Sequence, residues 1–207
     1  MSDRKQKDFM EKLAGRLTNI VLLGFFATLF SLPVVTAGAA FTALNVSTKA
    51  YLYEDEDKVL RIFFESFKEH FVLSTKVWLI HLLAFAILIW DIAYYRVGET
   101  SLDILASAAI FVLIVFLLFE FQLVFVLIGE RKESRVFKLM KLALEMAFTC
   151  FWQSLMMALF TLTVIAVSIF LFRGLLLVMP GIIAYLDWQV LPELFRKYKF
   201  RERQKTS

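Results

Sequence analysis

Cysteine, histidine, proline and glycine are all scarce in this 207-residue chain, which has one Cys, two His, three Pro and seven Gly. The single Cys150 permits no internal disulfide, and inside an apolar run it reads as a small buried hydrophobe. Two histidines, one thiol and scattered carboxylates provide no closely spaced ligand set for a metal. The shortage of proline and glycine argues against low-complexity disorder. Also missing are His-Glu-x-x-His, Gly-x-Ser-x-Gly, a phosphate loop and Cys-x-x-Cys. No catalytic residues, no cofactor and no metal site are therefore expected, and the chain is not read as an enzyme.

What is abundant is apolar. Hydrophobic residues make up 60% of the chain, with 23 phenylalanines, against about 45–50% in a soluble domain. They fall in long runs, and a run of about 20 apolar residues crosses the roughly 30 Å hydrocarbon core as a helix. The fold class expected is all-α, a polytopic transmembrane helix bundle forming one integral membrane domain over residues 1–207.

The organisation follows from where the runs break. Residues 1–16 are basic. Residues 17–53 are membrane-compatible but broken at Pro33, because the residue before a proline is pushed out of the helical region. Thr36 is placed to cap a new helix. The small-residue stretch Ala37-Gly38-Ala39 also fits a signal-peptide cleavage site, but it runs straight into more apolar sequence and is read as uncleaved. Residues 54–72 combine acidic and basic groups with Phe63, Phe64, Phe67 and Phe71 at helical spacing, which predicts an amphipathic elbow in the membrane interface. Residues 73–129 read as a helical hairpin with a link around Gly98, 130–148 as a second amphipathic elbow, 149–191 as a second hairpin interrupted at Pro180-Gly181, and 192–207 as a basic tail. The elbow-plus-hairpin order thus occurs twice, in hydropathy more than in residues.

Net charge is +4, and its placement carries the information. If 17–53 crosses twice there are six crossings, and 20 of the 23 Lys and Arg fall on one side, the exceptions being Lys49, Arg96 and Arg173. The positive-inside rule makes that side cytoplasmic, with both termini there. Five crossings plus a broken or re-entrant first segment remain an alternative. These basic residues flank apolar runs, so their expected partners are the bilayer and its anionic headgroups, not nucleic acid.

Polar groups inside the runs are the candidate functional residues. Glu120 stands alone among phenylalanines and leucines, and an intramembrane carboxylate is by default a functional-site hypothesis. Its expected partners are Gln153 and Gln122, with His81 behind them. His81 is a possible proton-responsive group. Asp187 sits between Tyr185 and Trp188 and could pair with Arg196 or Arg16. Asp91, Arg96 and Glu99 suggest an interfacial charge network. Gln122, Gln153, Asn19, Asn45 and Gln189 are candidate interhelical hydrogen bonders, and Trp90, Tyr94, Tyr95 and Trp188 candidate belt aromatics.

The segment Phe30-Ser-Leu-Pro-Val-Val-Thr-Ala-Gly-Ala-Ala-Phe-Thr-Ala-Leu44 resembles the YesL-like family of bacterial membrane proteins, which carry a domain of unknown function. The elbow Phe63 to Phe71, Trp78 to Ile80, and Pro180-Gly-Ile-Ile-Ala-Tyr185 extend the likeness. The resemblance implies a bacterial, Gram-positive plasma membrane. Because family genes often sit beside carbohydrate ABC transporter and polysaccharide-degradation genes, it also implies an accessory or regulatory membrane role linked to carbohydrate uptake, with ABC transporter subunits as possible partners. It brings no catalytic residues. The competing reading is a small transporter or channel using Glu120.

Overall fold

A computed structural model describes residues 2–54, 58–95, 100–130, 135–170 and 173–206, with the side chains of 2–14, 16, 101, 170, 173, 175 and 201–206 outside that description. Among the described residues the fold is all-helical: α1 Ser2–Ser31, α2 Ala37–Tyr53, α3 Val59–Tyr95, α4 Ser101–Glu130, α5 Val136–Thr149, α6 Phe151–Phe170 and α7 Met179–Thr206, with 3-10 turns at Val34–Thr36 and Arg173–Leu177. Three stretches are long and apolar enough to cross a membrane, Val59–Tyr95, Leu102–Glu130 and Phe151–Ile169, and Leu17–Ser31 is a shorter apolar helix. The result is a bundle of the membrane type.

Pro33 ends α1 as expected, but Thr36 does not cap α2 with its side chain. Its hydroxyl donates backward to Phe30 O at 2.6 Å and to Pro33 O at 2.8 Å, the latter also accepting from Thr36 N at 2.9 Å. Trp78 Nε1 from α3 donates to Val34 O at 2.5 Å and ties the same turn to the bundle. The small residues after the turn let α2 approach α3 closely. A Cβ on Gly38 would lie 2.6 Å from both Ser74 O and Trp78 Cβ, and Thr42 and Ser74 share a hydrogen bond of 2.8 Å between the two helices.

The first elbow differs from the expectation. Residues 58–72 do not form a separate interfacial helix, because Val59–Tyr95 is one helix of 37 residues. No proline or glycine lies within it to break the hydrogen-bond ladder. Phe63, Ser66, Ser74, Val77 and His81 extend a single buried stripe along it. The phenylalanines assigned to the interface pack instead on α1: the Phe30 ring lies 6.0, 5.5 and 5.1 Å from Phe63, Phe64 and Phe67. The second elbow is a distinct helix, α5, but it packs along α4 through buried Leu139, Ala143 and Met146, with Phe148 stacked on Phe116 at 4.5 Å.

The second hairpin also shifts. Pro180 does not interrupt a span. It stands in the first turn of α7, where a missing N–H leaves no intrahelical bond unmade. The helix then runs past the expected end at Leu191 to Thr206, carrying Pro192 inside it, because Ala184, Trp188, Leu191, Leu194 and Tyr198 form one buried stripe. α7 crosses α1 at Gly24 and Gly181, where a Cβ on Gly181 would meet Gly24 N at 2.8 Å. At the Glu130 end of the bundle, Lys49 bridges Glu130 at 2.8 Å and Glu54 at 3.5 Å. The far ends of α3 and α4 leave Leu83, Ile87, Trp90, Leu102, Leu105 and Phe111 exposed, an apolar surface suited to lipid.

Candidate functional site

The polar residues singled out in the sequence fall into two places, and the helix period decides which goes where. Residues two apart on a helix point to nearly opposite faces. Glu120 and Gln122 on α4 are therefore separated. Glu120 turns toward α3 and Gln122 toward α6, while Phe121 and Phe125 face α2, each about 6 Å from the Phe41 ring.

Glu120 is 3% exposed and His81 is 0% exposed. Glu120 Oε2 bonds His81 Nε2, while His81 Nδ1 lies 2.8 Å from Val77 O. That carbonyl can only accept, so Nδ1 carries a proton. One further proton then lies between Nε2 and the carboxyl group, and the pair is neutral overall whichever side holds it. The expected order of partners is thus inverted: neither Gln122 nor Gln153 bonds Glu120, and His81 does. Aromatic rings cover the imidazole, Phe121 at 5.4 Å and Phe85 and Phe125 at 6.4 Å from it. Glu120 Oε1 is buried without a hydrogen-bond partner. Glu120 is also one of the residues lining an apolar groove of about 460 Å³ between α3, α4 and α5.

Gln122 belongs to the second place. Its Nε2 donates to Thr161 Oγ1 at 2.6 Å, and Thr161 donates on to Met157 O at 3.1 Å, a bridge from α4 to α6. Gln122 and Thr161 line a half-open cavity of about 340 Å³ between α1, α2, α4, α6 and α7. Asn45 lines it too, although its Nδ2 bonds its own helix at Phe41 O, 2.9 Å, and not another helix.

Asp187 completes this wall. It occupies the buried stripe of α7 and is only 7% exposed. The expected pairing with Arg196 does not form. Arg196 is nine positions further along the same helix, beyond reach, and the Arg16 side chain lies outside the described residues. Asp187 Oδ1 is buried with no hydrogen-bond partner. Trp188 is a further correction: it is a core residue, not a belt residue, and its carbonyl accepts from Tyr53 Oη at 2.6 Å. Trp90 and Tyr94 are exposed near the far end of α3. The charge network expected around Asp91 involves Arg96 and Glu99, which lie outside the described residues, as do Gly98, Asp55, Glu56, Asp57, Arg131 and Lys132.

Residues 17–92 match the family model described as a protein of unknown function, DUF624. The DUF624 match agrees with the YesL-like resemblance carried by the Pro33 motif. It takes in the apolar part of α1, all of α2 and most of α3, so it includes His81, Asn45 and Phe41 but ends before Glu120, Gln122 and Asp187. No curated protein and no solved structure matches the chain. Within the DUF624 segment the Pro33 turn, Gly38 and the Thr42–Ser74 bond set how α2 sits on α3, and through Phe41 they set one wall of the cavity.

Two features were not anticipated from the sequence. Thr100 and Asp103 form a reciprocal cap at the start of α4, with Thr100 N donating to Asp103 Oδ2 at 3.1 Å and Asp103 N to Thr100 Oγ1 at 3.3 Å. Its signal, Thr-x-x-Asp before an apolar run, was present. The triad of Phe41, Phe121 and Phe125 had no local signal, since two different helices supply it.

Proposed function

We propose that this protein is a multi-pass bacterial plasma-membrane protein with both termini cytoplasmic, acting as a non-catalytic accessory or regulatory component of carbohydrate uptake. The observation that favours an accessory role over transport through Glu120 is the buried contact of that carboxylate with His81. A residue that carries ions or protons across a bundle must meet water on at least one side. Glu120 is spent on a helix–helix contact with His81, and the groove beside it is almost wholly apolar. The saccharide link rests on the YesL-like resemblance, and the orientation rests on the placement of Lys and Arg.

The test pairs two measurements. The tagged full chain is crosslinked and purified from native membranes of cells grown on a polysaccharide, and the same protein is reconstituted alone in proteoliposomes. Recovery of a carbohydrate permease, with no saccharide or proton flux from the protein alone, is the expected outcome. Flux that disappears in Glu120→Gln would establish the transporter reading in its place. Reporter fusions at each terminus check the orientation, and an external signal at either end would overturn it.

A further inference from the structure

The cavity between α1, α2, α4, α6 and α7 has an unusual polar inventory. Each hydroxyl lining it has its proton directed at a backbone carbonyl: Thr28 to Leu177 O at 3.0 Å, Ser31 to Ala27 O at 2.7 Å and Thr161 to Met157 O at 3.1 Å. The amide nitrogens of Asn45 and Gln122 each spend one of their two N–H groups within the bundle. What these groups leave for a guest is one N–H on each amide and otherwise acceptor oxygen. At one end stands Asp187, more than nine-tenths buried, its Oδ1 unpartnered and no cation placed against it among the described residues. The remaining wall is apolar and aromatic, with Phe41, Phe121 and Phe125 packed on one another at 5.0–6.1 Å.

We infer that this cavity binds a small organic monocation, an ammonium group on an apolar body, with Asp187 as its counter-ion and the three phenylalanines as its cage. A buried carboxylate without a partner is costly, and a cation is the ligand that removes that cost. Ring faces attract a weakly hydrated ammonium and do not require it to give up donors. The other candidates fit worse. A saccharide presents several hydroxyls that must both donate and accept, and too few free groups are here to meet them. A metal ion needs several oxygens converging at short range, and among the described residues no cluster of three acidic, His or Cys side chains could hold one. The volume, about 340 Å³, lies at the small end of the roughly 300–1,000 Å³ range of ligand sites, which suits a single-ring cation.

The test uses the full chain in lipid nanodiscs, with benzyltrimethylammonium as probe and neopentylbenzene as its neutral isostere. Binding is read by calorimetry and by the shift in thermal unfolding. Wild type should bind the cation, and Asp187→Asn should weaken it about tenfold or more, the scale of losing a charge-assisted contact. Should Asp187→Asn unfold, Ile183→Phe narrows the same cavity while keeping the carboxylate, and it should likewise abolish binding. Absence of cation binding to wild type would overturn the assignment. So would equal binding of the neutral isostere, or unchanged affinity in either variant, since the cavity would then be apolar space beside a protonated Asp187.

Discussion

Replacing Glu120 separates its two possible roles. In the structure its Oε2 meets His81 Nε2, and the other imidazole nitrogen is held by Val77 O. Glu120→Gln keeps an N–H that can donate to Nε2 of neutral His81, so one hydrogen bond is exchanged for another of similar strength. Glu120→Leu leaves Nε2 buried and unmatched. An unsatisfied buried group costs about 1–3 kcal/mol, and interhelical bonds in membrane bundles contribute about 0.6 kcal/mol on average and up to about 1.7. The expected losses are thus below about 0.5 kcal/mol for Gln and about 1–2 kcal/mol for Leu. For a chain of this size that corresponds to a fall of roughly 2–8 °C in Tm for Leu. The double variant Glu120→Leu with His81→Phe removes both polar partners and should recover part of the loss, giving a coupling of about 0.5–1.5 kcal/mol. Thermal unfolding of detergent-solubilised protein supplies the numbers. If Leu matches wild type, or if Gln costs as much as Leu, the pairing does not hold these helices together.

Other outcomes follow from the packing. Gly181→Leu should prevent α7 from seating on α1, because even a Cβ there lies 2.8 Å from Gly24 N, and loss of monodisperse protein on size exclusion would report it. Phe63→Ala should cost about 3–5 kcal/mol, as its fully buried ring anchors the α1–α3 cluster, and chemical unfolding curves measure it. Tyr53→Phe removes the bond to Trp188 O and should cost about 0.5–1.5 kcal/mol in the same assay. Cys150, 3% exposed with its thiol directed at Leu194 O, should react with a maleimide only as the protein unfolds, and rapid labelling of the native state would contradict its placement.

Several elements could be read from the chain because their causes are local. The Pro33 break, the apolar run of α4 and the run of α6 all depend on neighbours within a few residues. Where the reading went astray, the deciding contacts were distant. Residues 58–72 have the composition of an interfacial helix, yet the Phe30 face of α1 covers their phenylalanines. Pro180-Gly181 looked like an interruption because the sequence does not say that α7 begins there. The polar residues themselves were legible, since Glu120, Gln122, His81 and Asp187 all prove half-buried or buried. Their pairing was not. His81 and Glu120 are 39 positions apart, and which faces of α3 and α4 meet depends on packing across the whole hairpin. One rule could have been applied in advance: Glu120 and Gln122, two apart, cannot share a helix face.

The crossing at Gly24 and Gly181 also bears on how the protein is made. Thr28 and Leu177, bonded beside that crossing, are 149 residues apart. At about 5–20 residues per second, α1 leaves the ribosome roughly 7–30 s before its partner exists. Throughout that interval its glycine face is open to lipid, to an insertion chaperone or to the α7 of another copy. The α1 face closes only when α7 packs on it, so chains cut short before Met179 share a single defect, an uncovered Gly24.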